Sequence, residues 1–138
     1  MADTFHLEIA TPERLFVGED VTEAEVPGKN GYMGILPGHA PLVSALEPGI
    51  LRYTVRGQRH AVVVDGGFVE VGPESVRVLA DSAELPDSIQ TDRARQALER
   101  ANEDMKNAQD PAQAEAAVRA MKQAQARIDA AESAGRTQ

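Results

Sequence analysis

Residues 31–46, GYMGILPGHAPLVSAL, constrain this chain more than any other stretch, because their glycines and prolines suit neither an uninterrupted strand nor a helix. Pro37 and Pro41 fix φ and remove two backbone donors, while Gly34 and Gly38 open conformations that other residues avoid. Leu36 and Ala40 each precede a proline and are pushed towards extended backbone. The segment is therefore expected to run strand, rigid corner, strand.

The flanking sequence has the same punctuated character. Phe5, Leu7 and Ile9 alternate with His6, Glu8 and Ala10, the period of a half-buried strand that Pro12 and Glu13 end. A short apolar piece at 15–17, a turn at 18–20 and a strand at 21–26 with its acids facing water are expected next. The run 27–31, Pro-Gly-Lys-Asn-Gly, reads as an exposed loop leading into the corner. Further strands are expected at 50–55, 61–64, 68–71 and 76–80, separated by turns at 47–49, at 56–59, at Asp65-Gly66-Gly67 and at 72–75. Short Val-rich strands with regular turns are the pattern of an antiparallel sandwich or barrel.

After Ala80 the composition changes: no aromatic residue follows Phe68, and Ala, Gln, Glu and Arg dominate beyond Leu85-Pro86-Asp87. Asp87 with Gln90, and Asp110 with Pro111 and Gln113, both match helix starts, and Gly135 supplies a stop. Helical spacing groups Ala94, Ala97, Leu98, Ala101, Met105 and Ala108 in the first helix. It groups Ala114, Ala117, Val118, Met121, Ala124, Ile128 and Ala131 in the second. The connection at Gln109 is too short for anything but an antiparallel hairpin. The expected fold class is thus α+β: an antiparallel β-sandwich over 1–85, then a two-helix hairpin over 86–138. Each alanine in the hairpin seam hides little more than one methyl group, and a buried CH₂ contributes only about 0.8 kcal/mol, so the hairpin is expected to be mobile.

Charge and chemistry exclude several function classes. With 22 acidic against 14 basic residues and a formal net charge of -8, capture of nucleic acid or anionic lipid over a broad face is not expected. There is no cysteine, hence no disulfide scaffold or thiolate metal site, and no run approaches the roughly 20 apolar residues of a spanning helix. Any meeting with a membrane is expected to go through partners. His39 lies in the corner, but no nucleophile elbow and no zinc-binding helix motif accompanies it, and His6 and His60 offer no ligand spacing. A hydrolase using His39 with Asp65 is accordingly the weakest reading, no metal is expected, and Gly66-Gly67 reads as a tight strand connection.

Four segments, FHLEIATPER (5–14), GYMGILPGHAPLVSALEPG (31–49), DGGFVEV (65–71) and VRVLAD (76–81), together resemble the epsilon subunit of bacterial F-type ATP synthases. The resemblance runs over essentially the whole chain. It implies a ten-stranded sandwich with two C-terminal helices, a non-catalytic place on the central stalk, and coupling of proton flow to ATP synthesis. The implied partners are the gamma subunit, the ring of c subunits, and the alpha and beta subunits whose ATP hydrolysis the hairpin restrains. The implied location is the cytoplasmic face of the bacterial inner membrane, peripherally bound.

Carried over by position, the ring contact falls on Gly28, Lys29, Asn30, Gly31, Tyr32, Met33 and Gly34, and the gamma contact on His39, Ala40, Pro41 and Leu42. Tyr32 stands where some relatives have an acid, so an aromatic or backbone contact is expected to replace that polar one. Arg119, Lys122 and Arg127 share one broad side of the second helix, opposite much of the apolar seam, and are candidate contacts to an acidic partner surface. Some family members bind ATP through Ile/Leu-Asp-x-x-Arg-Ala. Here Ile89, Arg93, Ala94 and Arg127 remain, but Gln90 replaces the aspartate and Gln123 a second-helix arginine, so no bound cofactor is expected. The competing reading is a stand-alone β-sandwich protein-binding module with a dimerising helical arm.

Overall fold

The computed structural model describes residues 3–136. The chain divides into two compact units between Glu84 and Leu85. In the first, strands β1 (Phe5–Ala10), β2 (Leu15–Val21), β3 (Glu23–Gly28), β4 (Gly31–Ile35), β5 (Leu42–Ala45), β6 (Gly49–Val55), β7 (Gln58–Val71) and β8 (Ser75–Glu84) follow in order. They hydrogen-bond in the order β2-β1-β8-β7-β6-β3-β4, with β5 also on β7. One apolar core, including Leu7, Ile9, Val26, Ile35, Leu51, Val62, Val69 and Val78, lies between the two halves of this network, giving the sandwich expected. Pairing is antiparallel except between β1 and β8, which run parallel, so the sandwich is not purely antiparallel.

The two longest strands make the layers. β5 and β6 lie along the same edge of β7, against residues 68–71 and 58–64, and β7 bends opposite the break between them. Asp65-Gly66-Gly67 is therefore not a strand connection: it lies inside β7, where Gly66 and Gly67 take φ of 69° and 98° while the register with β8 is kept. A Cβ at Gly67 would overlap the Leu79 carbonyl, so the bend needs glycine for room as well as for φ. Among the described residues there are eight strands rather than ten.

Two other expectations change. Gly18, Glu19 and Asp20 do not turn; they extend β2 opposite Glu8, Leu7 and His6. β2 is an edge strand, and Glu19 shares the inward parity of buried Val17 and Val21, placing a charge where a further strand would otherwise add. Pro27 and Gly28 are buried in β3, so the loop at 27–31 shrinks to a two-residue turn, Lys29-Asn30, between β3 and β4. The turn at 56–59 likewise shortens to Arg56-Gly57, both at positive φ, as a twisted hairpin favours.

In the second unit a single 3₁₀ turn (Pro86–Ser88) precedes α1 (Thr91–Lys106) and α2 (Pro111–Arg136). Asp110 caps α2 as expected: its Oδ1 accepts the Gln113 N–H at 2.8 Å, while Gln113 Oε1 accepts the Gln109 N–H at 2.9 Å. Asp87 does not cap α1. It lies in the 3₁₀ turn, Gln90 is the N-cap, and no side chain caps that end. Gly135 does not stop α2, which continues to Arg136. Within the expected seam Ala94, Ala101, Ala117, Ala124 and Ile128 are buried, but Ala97, Met105 and Val118 are exposed.

Candidate partner-docking surface

The corner forms as its sequence requires, with one difference. Gly38 takes φ of 82°, whereas Gly34 is an ordinary residue of β4 whose missing side chain leaves open space. The Gly38 N–H donates to the Pro73 carbonyl at 3.1 Å and the His39 N–H to the Leu36 carbonyl at 3.2 Å, tying the corner to itself and to the β7–β8 connection. His39 Nδ1 lies 2.7 Å from the Ala40 carbonyl oxygen. A carbonyl only accepts, so Nδ1 carries the hydrogen and the imidazole is held over its own backbone. Ala40 and Pro41 are exposed and Leu42 half-buried, and this segment leads directly into β5.

The turn beside it presents Lys29, Asn30, Gly31 and Tyr32 to solvent, with Met33 half-buried and packed against the core. The Tyr32 hydroxyl is not presented outward: it accepts the Ile50 N–H at 3.0 Å. Beyond Gly34, a surface hollow of about 330 Å³ is lined by Glu23, Glu25, Arg52, Tyr53, Thr54 and Arg59 among others. Arg52 pairs with Glu25 at 3.6 Å and the Thr54 hydroxyl donates to Glu23 at 3.2 Å, so charges there offset one another. Burial, with the Glu19 carboxylate adding to it, raises the Tyr53 phenol above its usual pKa.

The sheet carries a feature that strand-by-strand reading missed. Across five adjacent strands, Ala45, Phe68, Leu79, Ala10 and Leu15 stand in one transverse row, each directly paired with the next. Phe68 and Leu15 are each 58% exposed and Leu79 46%. Val43, 70% exposed, begins the next row, which continues through Glu70, Arg77 and Glu8. Arg77 Nε donates to Glu8 at 3.3 Å, and His6 Nδ1 sits 3.1 Å from Asp20 beyond it. An apolar strip bordered by charges is the anatomy of a protein-docking surface. The signal was available: Val76, Val78 and Ala80 fill the inner face, which forces Leu79 outward.

On the hairpin, Ile89, Gln90, Arg93 and Ala94 gather at the start of α1, where the Ala94 N–H bonds the Gln90 carbonyl at 3.1 Å. Ile89 and Ala94 are buried as packing groups, leaving Gln90 and Arg93 as the exposed polar members. Arg95 makes an ion pair across the hairpin, to Glu132 at 3.8 Å. Arg119 and Lys122 are exposed and Arg127 half-buried. Ala126 and Ala130, two and three turns beyond Arg119 on the same side, are buried, so that side of α2 is exposed only over its first half. Among the described residues no group of three or more His, Asp and Glu is set to hold a metal ion, and no helix is long and apolar enough to cross a membrane.

Residues 4–86 match the family model for the ATP synthase, Delta/Epsilon chain, beta-sandwich domain. An ATP synthase epsilon chain of Solibacter usitatus is 51% identical over 120 residues, covering 85% of this chain and 90% of the relative. One from Nitratidesulfovibrio vulgaris is 45% identical over 121 residues, covering 86% and 90%. The chain belongs to the ATP synthase epsilon-chain family. Members are non-catalytic subunits of the rotary complex. Among solved structures, a chain of the Euglena gracilis mitochondrial ATP synthase superposes with a TM-score of 0.80 at 24% identity, covering 97% of this chain and 82% of that one. A chain of the Tetrahymena thermophila mitochondrial ATP synthase central stalk and c-ring gives 0.70 at 13%, covering 92% and 96%. Those likenesses show that the fold recurs.

Proposed function

We propose that this epsilon-family chain is a rotor subunit of the central stalk of a proton-translocating ATP synthase, coupling proton flow to ATP synthesis. The observation that carries the reading is the transverse row Ala45, Phe68, Leu79, Ala10 and Leu15, whose three large members are exposed, with exposed Val43 beside it, a surface suited to a permanent grip on a shaft. The gamma subunit occupies that face and the adjoining corner, His39 to Leu42. The β3–β4 turn, from Gly28 to Gly34, meets the ring of c subunits. The complex stands at the cytoplasmic face of a bacterial inner membrane, which the chain reaches only through these partners.

The hairpin restrains ATP hydrolysis by moving towards the alpha and beta subunits, with Arg119, Lys122 and Arg127 making charged contacts. It works without a bound nucleotide, because Gln90 supplies no carboxylate and Ile89 and Ala94 are consumed in packing. No detectable binding is expected at millimolar ATP.

The test is co-purification with a gamma subunit. Phe68→Glu with Leu79→Glu places two charges in the strip and should weaken capture more than about a hundredfold, as loss of buried anchors does, without unfolding outward-facing positions. Unchanged capture, or a wild-type chain that ignores gamma and dimerises through its helices, would overturn the reading. Truncation after Leu85 should raise ATP hydrolysis by the assembled complex; an unchanged rate would remove the inhibitory role.

A further inference from the structure

β3 and β6 are paired only as far as Glu25 and Arg52, after which they diverge. Ile50 lies beyond that last pair, and the Pro27 carbonyl, which a continued β3–β6 register would set against Ile50, accepts the Glu47 N–H at 2.9 Å. Tyr32, the cross-strand partner of Pro27 on β4, reaches past it, and its hydroxyl accepts from Ile50 at 3.0 Å. Gly49 makes the passage possible: a Cβ there would stand 2.6 Å from the Tyr32 hydroxyl and 2.8 Å from Pro27 Cβ. The same turn is braced on its other flank by the bridge between Gly28 and Leu46.

We infer that Tyr32 is a positioning residue, a latch whose hydroxyl replaces the missing ladder bond and holds the Lys29-Asn30 turn at a fixed angle for its partner. The inference rests on the ring-contact reading of that turn. Its chemistry is a backbone N–H satisfied by a phenol, which an acid or an amide of different reach would not reproduce in this geometry. Tyr32 remains 52% exposed as a residue, so partner contact and latching by its hydroxyl are compatible.

Tyr32→Phe keeps the ring and deletes the hydroxyl. In the isolated full-length chain, amide exchange at Ile50 should accelerate about tenfold relative to Leu51, the effect of losing one hydrogen bond. A merely global destabilisation would speed both amides alike, and no selective change at Ile50 overturns the latch. In a complex reconstituted from subunits, protons pumped per ATP hydrolysed should fall severalfold with the variant. A wild-type pumping ratio alongside faster Ile50 exchange overturns the positioning role, and a lower ratio with Ile50 unchanged assigns the hydroxyl to direct partner contact instead. Failure of the wild-type chain to support pumping would count against the rotor reading, while the exchange comparison still decides the latch.

Discussion

In the β unit the side chains hidden most completely are Leu7, Ile9, Val21, Val26, Leu51, Val62, Val69 and Val78, whereas among the described residues the helical unit hides Ala94, Ala101, Ala117, Ala124, Ala126 and Ala130, with only Ile89 and Ile128 as larger groups. The first set combines tight hairpin pairs such as Leu51 with Val62 and long-range ones such as Ile9 with Val78, which meet in one shared core. The second comes from two helices that neighbour one another in sequence and from Ile89 just before them. Apolar stabilisation scales with area removed from water, and an alanine removes little. The difference teaches how one chain can carry a part held by large interlocking side chains and a part held by small increments.

Core truncation probes this contrast most strongly. Leu51→Ala should cost about 2–5 kcal/mol, because a fully buried leucine leaves a cavity that the sheet cannot close. Its counterpart Ala124→Gly, equally buried on α2, should cost only about 1 kcal/mol, chiefly through helix propensity. Denaturant titrations followed by far-ultraviolet dichroism would compare them. Equal costs at the two sites would break the distinction between a core made by packing and a pair made by propensity.

How much of this was legible beforehand follows the same division. Local rules placed the corner, because Pro37, Gly38 and Pro41 act on their own backbone, and they placed the Asp110 cap, because donor and acceptor are three residues apart. They failed where a distant partner decides. Gly66-Gly67 advertises positive φ, but only β5, β6 and the Leu79 carbonyl determine that the pair bends one strand instead of joining two. Gly18-Glu19-Asp20 has the composition of a turn, yet pairing with β1 makes it strand. The Tyr32 hydroxyl found its donor 18 positions away, beyond the reach of any periodicity. The docking strip escaped because its members lie on five strands and meet only through register.

The cap offers a middle-sized test of the hairpin. Asp110→Ala removes the acceptor for the Gln113 N–H and should cost about 1 kcal/mol, seen as lower helicity on warming. Asp110→Asn, which keeps an acceptor oxygen, should restore most of it. If alanine and asparagine behave alike, the turn between α1 and α2 is fixed by chain length and not by this bond.

The smallest effect is expected at the ion pair joining the helices. Arg95 lies 3.8 Å from Glu132 and 3.8 Å from Asp92, and all three groups are well exposed, so solvent screens both interactions. Arg95→Gln should change hairpin stability by about 0–1 kcal/mol at low salt, and by nothing measurable near about 1 M salt, where screening acts within roughly 3 Å. A larger, salt-insensitive loss would mean that the arginine stem packs against α2 and that the pair is held by more than alanine. That outcome would bring the hairpin nearer to the sandwich in character and would raise the cost of moving it.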